Sequence, residues 1–187
     1  TPLIGEERSS CEVFGNYLHT YYYDQSIKDG YTLKLIREEI ETRYRMKITE
    51  AYEKLDSLVT KGELKKDDII SHKTYVKALL LYIIRDLRDF RLLHGDDSLG
   101  GMIICESSSQ AKMMNQIFQE VQDEINAEDT NKCNFKQALI LHDSDDKETR
   151  KQLVYDYKKK NTIDILIVYN MLLTGFDAPR LKRLYFG

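Results

Sequence analysis

The sequence predicts an α/β chain in which a mostly helical segment precedes a parallel sheet, and three observations carry that expectation. Apolar residues of the first half recur at steps of three and four, the spacing of one helix face. In the second half, short apolar runs alternate with helix-length segments, as in a parallel sheet with helical crossovers. One of those runs, IDILIVY at 163–169, is apolar throughout, which suits a strand covered on both faces.

The elements follow in order. From Ile36 the positions Ile40, Tyr44, Ile48, Tyr52, Leu55 and Val59 form one helical stripe that Gly62 ends. A second helix is expected after Asp67-Asp68, read as N-terminal caps, with Val76, Leu79, Leu80, Ile83, Leu87 and Phe90 on its apolar side and a stop at His94-Gly95. The two should pack as a hairpin. GDDSLGG at 95–101 reads as a linker. MIIC at 102–105 is the first strand, Glu106-Ser107-Ser108-Ser109 a capping turn, and a helix runs on to about Ile125. The polar stretch 129–136 is a loop, ALIL at 138–141 a strand, and HDSDD the next loop. A helix over Glu148–Lys160 buries Leu153 and Tyr157, and RLYF at 183–186 closes the series as a fourth strand after 163–169. The expected division is a helical part, 1–95, and an α/β part, 96–187. Functional residues should gather at the carboxyl ends of the strands.

Composition excludes several classes. Apolar residues are 42% and charged residues 32% of 187, enough for a core and too ordered a mixture for global disorder. No apolar run approaches the roughly 18 residues of a membrane span, so no membrane partner is expected. Cys11, Cys105 and Cys133 are an odd set without metal-ligand spacing and read as reduced, which points to the cytoplasm. The chain opens on Thr1-Pro2 and closes on Gly187 straight after an apolar stretch, so we expect a piece of something longer. Basic and acidic side chains number 16 and 16 over 1–95 and 12 and 15 over 96–187, which argues against holding nucleic acid by overall charge. Between Lys147 and Arg183 the balance turns to nine basic against four acidic, a solvated helix surface or a face that tracks phosphates.

Most isolated motifs have plain explanations. Gly95 and Gly100 have the spacing of a phosphate-binding loop, but Gly101 and Met102 stand where Lys and Ser or Thr are required, and the strand comes after rather than before. Glu63-Leu64-Lys65 belongs to a charged turn. The four histidines share no ligand spacing, and the Asp of His142-Asp143 reads as a cap. Cys105 reads as a buried strand residue rather than a nucleophile. The serines after it cap a helix, and a serine-rich N-terminus at a sheet edge also offers hydroxyls and N–H groups to a phosphate. Nine of the 13 tyrosines precede Leu93 and are expected mostly in helix packing; Tyr21-Tyr22-Tyr23 could also stack on bases.

The informative stretch is YNMLLTGFDAPRLKR at 169–183. Thr174 can donate its hydroxyl to a phosphate, Gly175 lets a backbone approach without a Cβ, and Asp177 can accept hydrogen bonds from a ribose or orient a water. Pro179 fixes the exit, and Arg180, Lys182 and Arg183 are expected to add positive charge nearby.

MLLTGFDAPRLKRLYF resembles motif V of superfamily-two helicases in the form carried by the R (motor and restriction) subunit of type I restriction enzymes. GMIICESSSQAKMM resembles the opening of that family's second RecA-like lobe, motif IV. TPLIGE and FGNYLHTYYYDQSIKDGYTLKLIREEIETRY resemble the stretch after motif III of the first lobe. The resemblance implies a RecA-like (P-loop NTPase-type) lobe over 96–187, spanning motifs IV to V, preceded by a helical connector or insertion after the first lobe. It implies a part of an ATP-dependent translocase that cleaves unmethylated foreign DNA, with methyltransferase (M) and specificity (S) subunits as partners. ATP and Mg2+ would be held mainly by the first lobe. Carried over by matching position, Thr174 and Gly175 would contact DNA, Gly175 and Asp177 the nucleotide, and Ser107, Ser108 and Ser109 the translocated strand, with Arg150 as a further backbone contact. No complete catalytic set is implied, because the phosphate loop, the acidic magnesium motif and the arginine finger lie outside these motifs, and the chain alone should not hydrolyse ATP. Two other readings stay open: a different superfamily-two helicase, and a non-catalytic flavodoxin-like binding module.

Overall fold

A computed structural model describes residues 15, 16, 20–32, 34–142, 146–172 and 176–187. Two compact units divide the chain, Thr1–Glu39 and Ile40–Gly187. In the first, helix α1 (Tyr23–Lys28) is followed by a turn in which the Tyr31 and Thr32 N–H groups donate to the Ser26 carbonyl.

The second unit holds α2 (Thr42–Thr60), α3 (Lys73–His94), β1 (Gly100–Ile104), α4 (Ser108–Glu128), β2 (Gln137–Ile140), α5 (Lys147–Tyr155), β3 (Ile165–Val168) and β4 (Leu181–Phe186). All three strand pairings are parallel, in the order β2-β3-β1-β4. Side chains alternate between two cores. Ile103, Ile165, Ile167 and Tyr185 face the core that contains α3 and α4. Met102, Ala138, Ile140, Leu166 and Val168 face the other, covered by Leu153 and Val154 of α5 and by Met171, Leu172, Phe176 and Ala178 of the crossover from β3 to β4. That placement follows from right-handed crossovers: β1 to β2 runs one way along the sheet, while β2 to β3 and β3 to β4 run the other.

Several boundaries differ from the sequence expectation. Helix α2 starts at Thr42, not Ile36: Leu35 and Ile36 are exposed and lie in no helix or strand, so the start of the apolar stripe belongs to a segment with no face to bury. Asp67 and Asp68 form a short 3-10 turn, and the cap of α3 is His72, whose Nδ1 accepts from the Thr74 N–H. The α3 stop is as expected, with Gly95 at φ 60. Helix α5 is extended by a π-helical turn, Asp156–Lys160, and Tyr157 within it is fully buried. The stretch expected as linker ends inside the sheet. Gly100 and Gly101 open β1, and a Cβ on Gly100 would lie 2.5 Å from the Tyr157 hydroxyl, so the glycine is there for close packing.

Helices α2 and α3 form the expected hairpin, with Tyr44 against Tyr82 and Tyr52 against Tyr75. Packing continues across residue 95: α3 lies beside α4 on one face of the sheet, joined by Lys73–Glu120, Lys77–Glu124 and Arg85–Glu128 pairs. The change at 95 is therefore one of element type, and α3 is a layer of the α/β core. Tyr21, Tyr22 and Tyr23 depart from the expected helix packing and are exposed.

The loop 129–136 has no regular structure, yet it is docked. Asn126 bonds both backbone groups of Cys133, and Gln122 accepts from the Phe135 N–H, which buries Cys133 and Phe135. Among the described residues no helix is long and apolar enough to cross a membrane.

Candidate functional site

The adjacent strands β1 and β3 send their connections to opposite faces of the sheet, α4 to one and the crossover to the other. Diverging connections of this kind are where α/β sheets take ligands, at the carboxyl ends of the strands. The groups on either side are the turn from Cys105 to Ser109 and the start of the crossover at Tyr169.

On the first side, Ser107 caps α4, its hydroxyl accepting from the Gln110 N–H at 3.0 Å. Ser107 and Ser108 are half-buried and Ser109 is exposed. Their position leaves the first-turn N–H groups of Ser108 and Ser109 without an acceptor inside the helix. The positive end of a 21-residue helix and three hydroxyls can therefore meet an anion there. Gln110, fully buried, accepts from the Glu106 N–H at 2.8 Å, and its Nε2 has no hydrogen-bond partner among the described residues. Sequence reasoning missed it, although Gln three residues after a capping Ser is a recognisable signal. Cys105 is no nucleophile: it is buried against Met114, and burial pushes its thiol up to about 12.

At the end of β2, Arg150 donates to the His142 carbonyl at 2.7 Å and more weakly to that of Leu141 at 3.4 Å. Its guanidinium thus sits at the same sheet edge, steadying the strand end. Asp143 lies outside the described residues; the cap of α5 is Asp146, whose carboxylate accepts from the Thr149 N–H at 2.7 Å. That backbone bond holds the Asp146 carboxyl below its usual range. Among the described residues no cluster of His, Cys, Asp or Glu could hold a metal ion.

On the second side, Asn170 and Leu172 have left-handed backbones, φ 50 and φ 60. Leucine rarely adopts that conformation, so the start of the crossover carries strain. Thr174 and Gly175 lie outside the described residues. Asp177 is exposed, between the half-buried Phe176 and the buried Ala178. It stands at the returning end of the crossover, one residue before the turn in which the Leu181 N–H donates to the Ala178 carbonyl.

The basic residues after it are not the positive cluster expected. Arg180 is 8% exposed, its guanidinium turned inward. It donates to the carbonyls of Ser98, Tyr157 and Ile163 at 2.7, 3.0 and 2.6 Å. Arg183 packs over the Phe90 ring and lies 3.4 Å from Asp86. Lys182 alone of the three is exposed. Carbonyls before β1 and β3 and in the turn after α5 draw Arg180 inward, and the alternation of β4 turns Arg183 toward α3 while Lys182 faces out.

Three comparisons bear on this arrangement. Residues 105–187 match the family described as type I restriction enzyme subunit R domain 3, and residues 1–68 match the SWI2/SNF2 ATPase family. The chain is 23% identical over 203 residues to the type I restriction enzyme HindI endonuclease subunit of Haemophilus influenzae, covering 99% of this chain and 19% of that protein. It is 25% identical over 207 residues to the putative type I restriction enzyme MjaVIIIP endonuclease subunit of Methanocaldococcus jannaschii, covering 90% of this chain and 20% of that protein. The chain thus spans about a fifth of the length of these relatives. Among solved structures, the helicase domain of Pyrococcus furiosus Hef is similar at 16% identity and a TM-score of 0.37, over 74% of this chain and 28% of that one.

Proposed function

We propose, from the premise that this chain is a piece of the type I restriction enzyme R-subunit kind, that it forms part of an ATP-dependent DNA translocase motor. Residues 96–187 act as part of its second RecA-like lobe and 1–95 as the connector that follows the first, its helix α3 packed onto that lobe's sheet. The whole enzyme cleaves unmethylated foreign DNA after translocation, in a complex with M and S subunits. The observation that carries the reading is the arrangement at the sheet edge. A serine-capped helix N-terminus and the crossover that contains Thr174, Gly175 and Asp177 leave adjacent strands toward opposite faces. Such a divergence suits a phosphate backbone on the serine side and a nucleotide against the crossover.

Among the described residues the Gly95–Gly100 spacing forms no phosphate cradle, since it ends in a strand start. ATP and Mg2+ would accordingly be held mainly by a first lobe, which this chain would meet from the other side. The roles on this side are positional. Ser107, Ser108, Ser109, Thr174 and Gly175, with Arg150, hold the DNA backbone, and Gly175 and Asp177 respond to the nucleotide.

Asp177→Ala in the full-length subunit should lower DNA-stimulated ATP hydrolysis by more than about tenfold, a loss of transition-state stabilisation of about 1.4 kcal/mol or more, without loss of the fold. Unchanged turnover would sink the assignment. The chain by itself should bind DNA weakly and lose that binding steeply as salt rises.

A further inference from the structure

We infer that Arg180 is the positioning residue for Asp177, the group that fixes where the crossover presents its carboxylate. The inference rests on the proposed role of Asp177, and it starts from how the second half of the crossover is held. Phe176 packs at 6.1 Å from the ring of Tyr157, with the Lys158 ammonium over its own ring at 4.5 Å. Ala178 is buried in the same core. Two residues further, Arg180 is held by both side chain and backbone. Its guanidinium bonds three carbonyls and lies 4.9 Å over the Tyr157 ring, and its own carbonyl accepts from the Gly100 N–H at 2.7 Å. Residues 176, 178 and 180 thus point inward, and Asp177 and Pro179 are left exposed.

The carbonyls Arg180 reads come from three separate places: the approach to β1 (Ser98), the approach to β3 (Ile163) and the π-helical turn (Tyr157). The guanidinium serves them from two nitrogens in a fixed plane, Nε to Ser98 and Nη1 to Tyr157 and Ile163, whereas a lysine ammonium has a single nitrogen on a flexible stem and no such fixed fork. Upstream, by contrast, the backbone is strained at Asn170 and Leu172. The crossover therefore has one strained end and one clamped end, with Asp177 on the clamped one.

Arg91 supplies the control. It is as buried as Arg180 and shares Asp164 with it, but its other hydrogen bond goes to Leu99 and its guanidinium lies over the Phe135 ring, so among the described residues none of these contacts is to the crossover. Arg180→Lys and Arg91→Lys are to be compared where both are folded. Amide exchange in the chain is expected to accelerate in Arg180→Lys by about tenfold or more at Leu181 and Gly100, relative to Ile167 at the sheet centre, and not in Arg91→Lys. In the full-length subunit, Arg180→Lys should lower kcat of DNA-stimulated ATP hydrolysis about as far as Asp177→Ala, and the double variant no further, because two residues acting as a unit are not additive.

Uniform exchange acceleration, equal losses of turnover in both lysine variants, or an additive double variant would each overturn the assignment in favour of a purely structural pin. So would failure of Arg180→Lys and Arg180→Gln to fold where Arg91→Lys does. Should Asp177→Ala leave turnover intact, the motor reading fails, and the exchange pattern alone then decides whether Arg180 positions the crossover.

Discussion

The two edges of the sheet are built on opposite plans. At the amino ends of the strands, Asp164 sits between two arginines: Arg91 donates to it at 2.6 Å, Arg180 lies 3.6 Å away, and its other oxygen accepts from the Lys136 N–H at 2.9 Å. Through these groups and the carbonyls of Ser98, Leu99 and Ile163, the starts of all four strands are tied together. At the carboxyl ends the polar groups are serine hydroxyls and helix N–H groups, and among the described residues the buried Gln110 Nε2 has no hydrogen-bond partner; Arg180 Nη2 at the other edge has none either, but lies 3.6 Å from Asp164. The amino edge spends its polar groups on tying strand starts and, through Arg180, on holding the end of the crossover that carries Asp177, whereas the carboxyl edge keeps the hydroxyls and N–H groups of the α4 start for a ligand.

The strongest way to break that comparison is at Asp164. Removing one partner of a buried charge network leaves the others uncompensated, at about 3–5 kcal/mol, so Asp164→Ala should lower unfolding stability by that amount in a denaturant titration. Ser109→Ala at the open edge should change it by less than about 0.5 kcal/mol. Equal effects would mean that the edges do not differ in the way argued.

A second test probes how close the tied edge is. Gly100→Ala places a Cβ 2.5 Å from the Tyr157 hydroxyl, a contact that must force either the π-helical turn or β1 to shift. Overpacking of this kind costs about 1–3 kcal/mol, and Tyr157→Phe should recover part of it when combined with the alanine. Smaller again is Ser107→Ala at the open edge, where loss of the α4 cap should cost about 1 kcal/mol by thermal unfolding. A larger loss there would show that the cap is as deeply built in as the arginine hub.

The sequence made one of these edges visible and hid the other. Strands, helices and the parallel order of the second half follow from periodicity, because burial of alternate or continuous apolar residues is a local property. The serine cap at Ser107 was legible for the same reason, as was the stop at Gly95. The hub was not. Asp164, Arg91 and Arg180 are 73 and 16 residues apart in sequence, and only the return of four parallel strand starts to one edge makes them neighbours. Arg180 accordingly reads as surface charge beside Lys182, when its burial depends on carbonyls contributed from three other segments. The helix start at Thr42 was missed because periodicity reports a possible face without reporting whether anything packs on it. Of the candidate residues, Ser107–Ser109 and Arg150 share the carboxyl edge, Asp177 is exposed at the returning end of the crossover, and Thr174 and Gly175 lie outside the described residues.

The finest distinction between the edges is a matter of protons. Cys105 stands at the carboxyl end of β1, yet burial raises its thiol from 9.0 to about 12. An acid whose folded value lies above its unfolded one stabilises the fold in its protonated form. Its full contribution is present below pH 9, and it is lost progressively as pH rises from about 9, where the unfolded thiol ionises, toward about 12, where the folded thiol does. Half a unit above the lower limit the loss is less than about 1 kcal/mol. Cys105→Ala should therefore flatten the alkaline limb of the stability profile slightly, after allowance for the buried Tyr157 and Tyr185, whose hydroxyls burial also raises. In the native chain the Cys105 thiol should resist alkylation at pH 8 until the protein unfolds. Rapid modification under native conditions would mean that the carboxyl end of β1 is open to solvent, and that the polar edge reaches deeper into the sheet than the packing of Cys105 against Met114 allows.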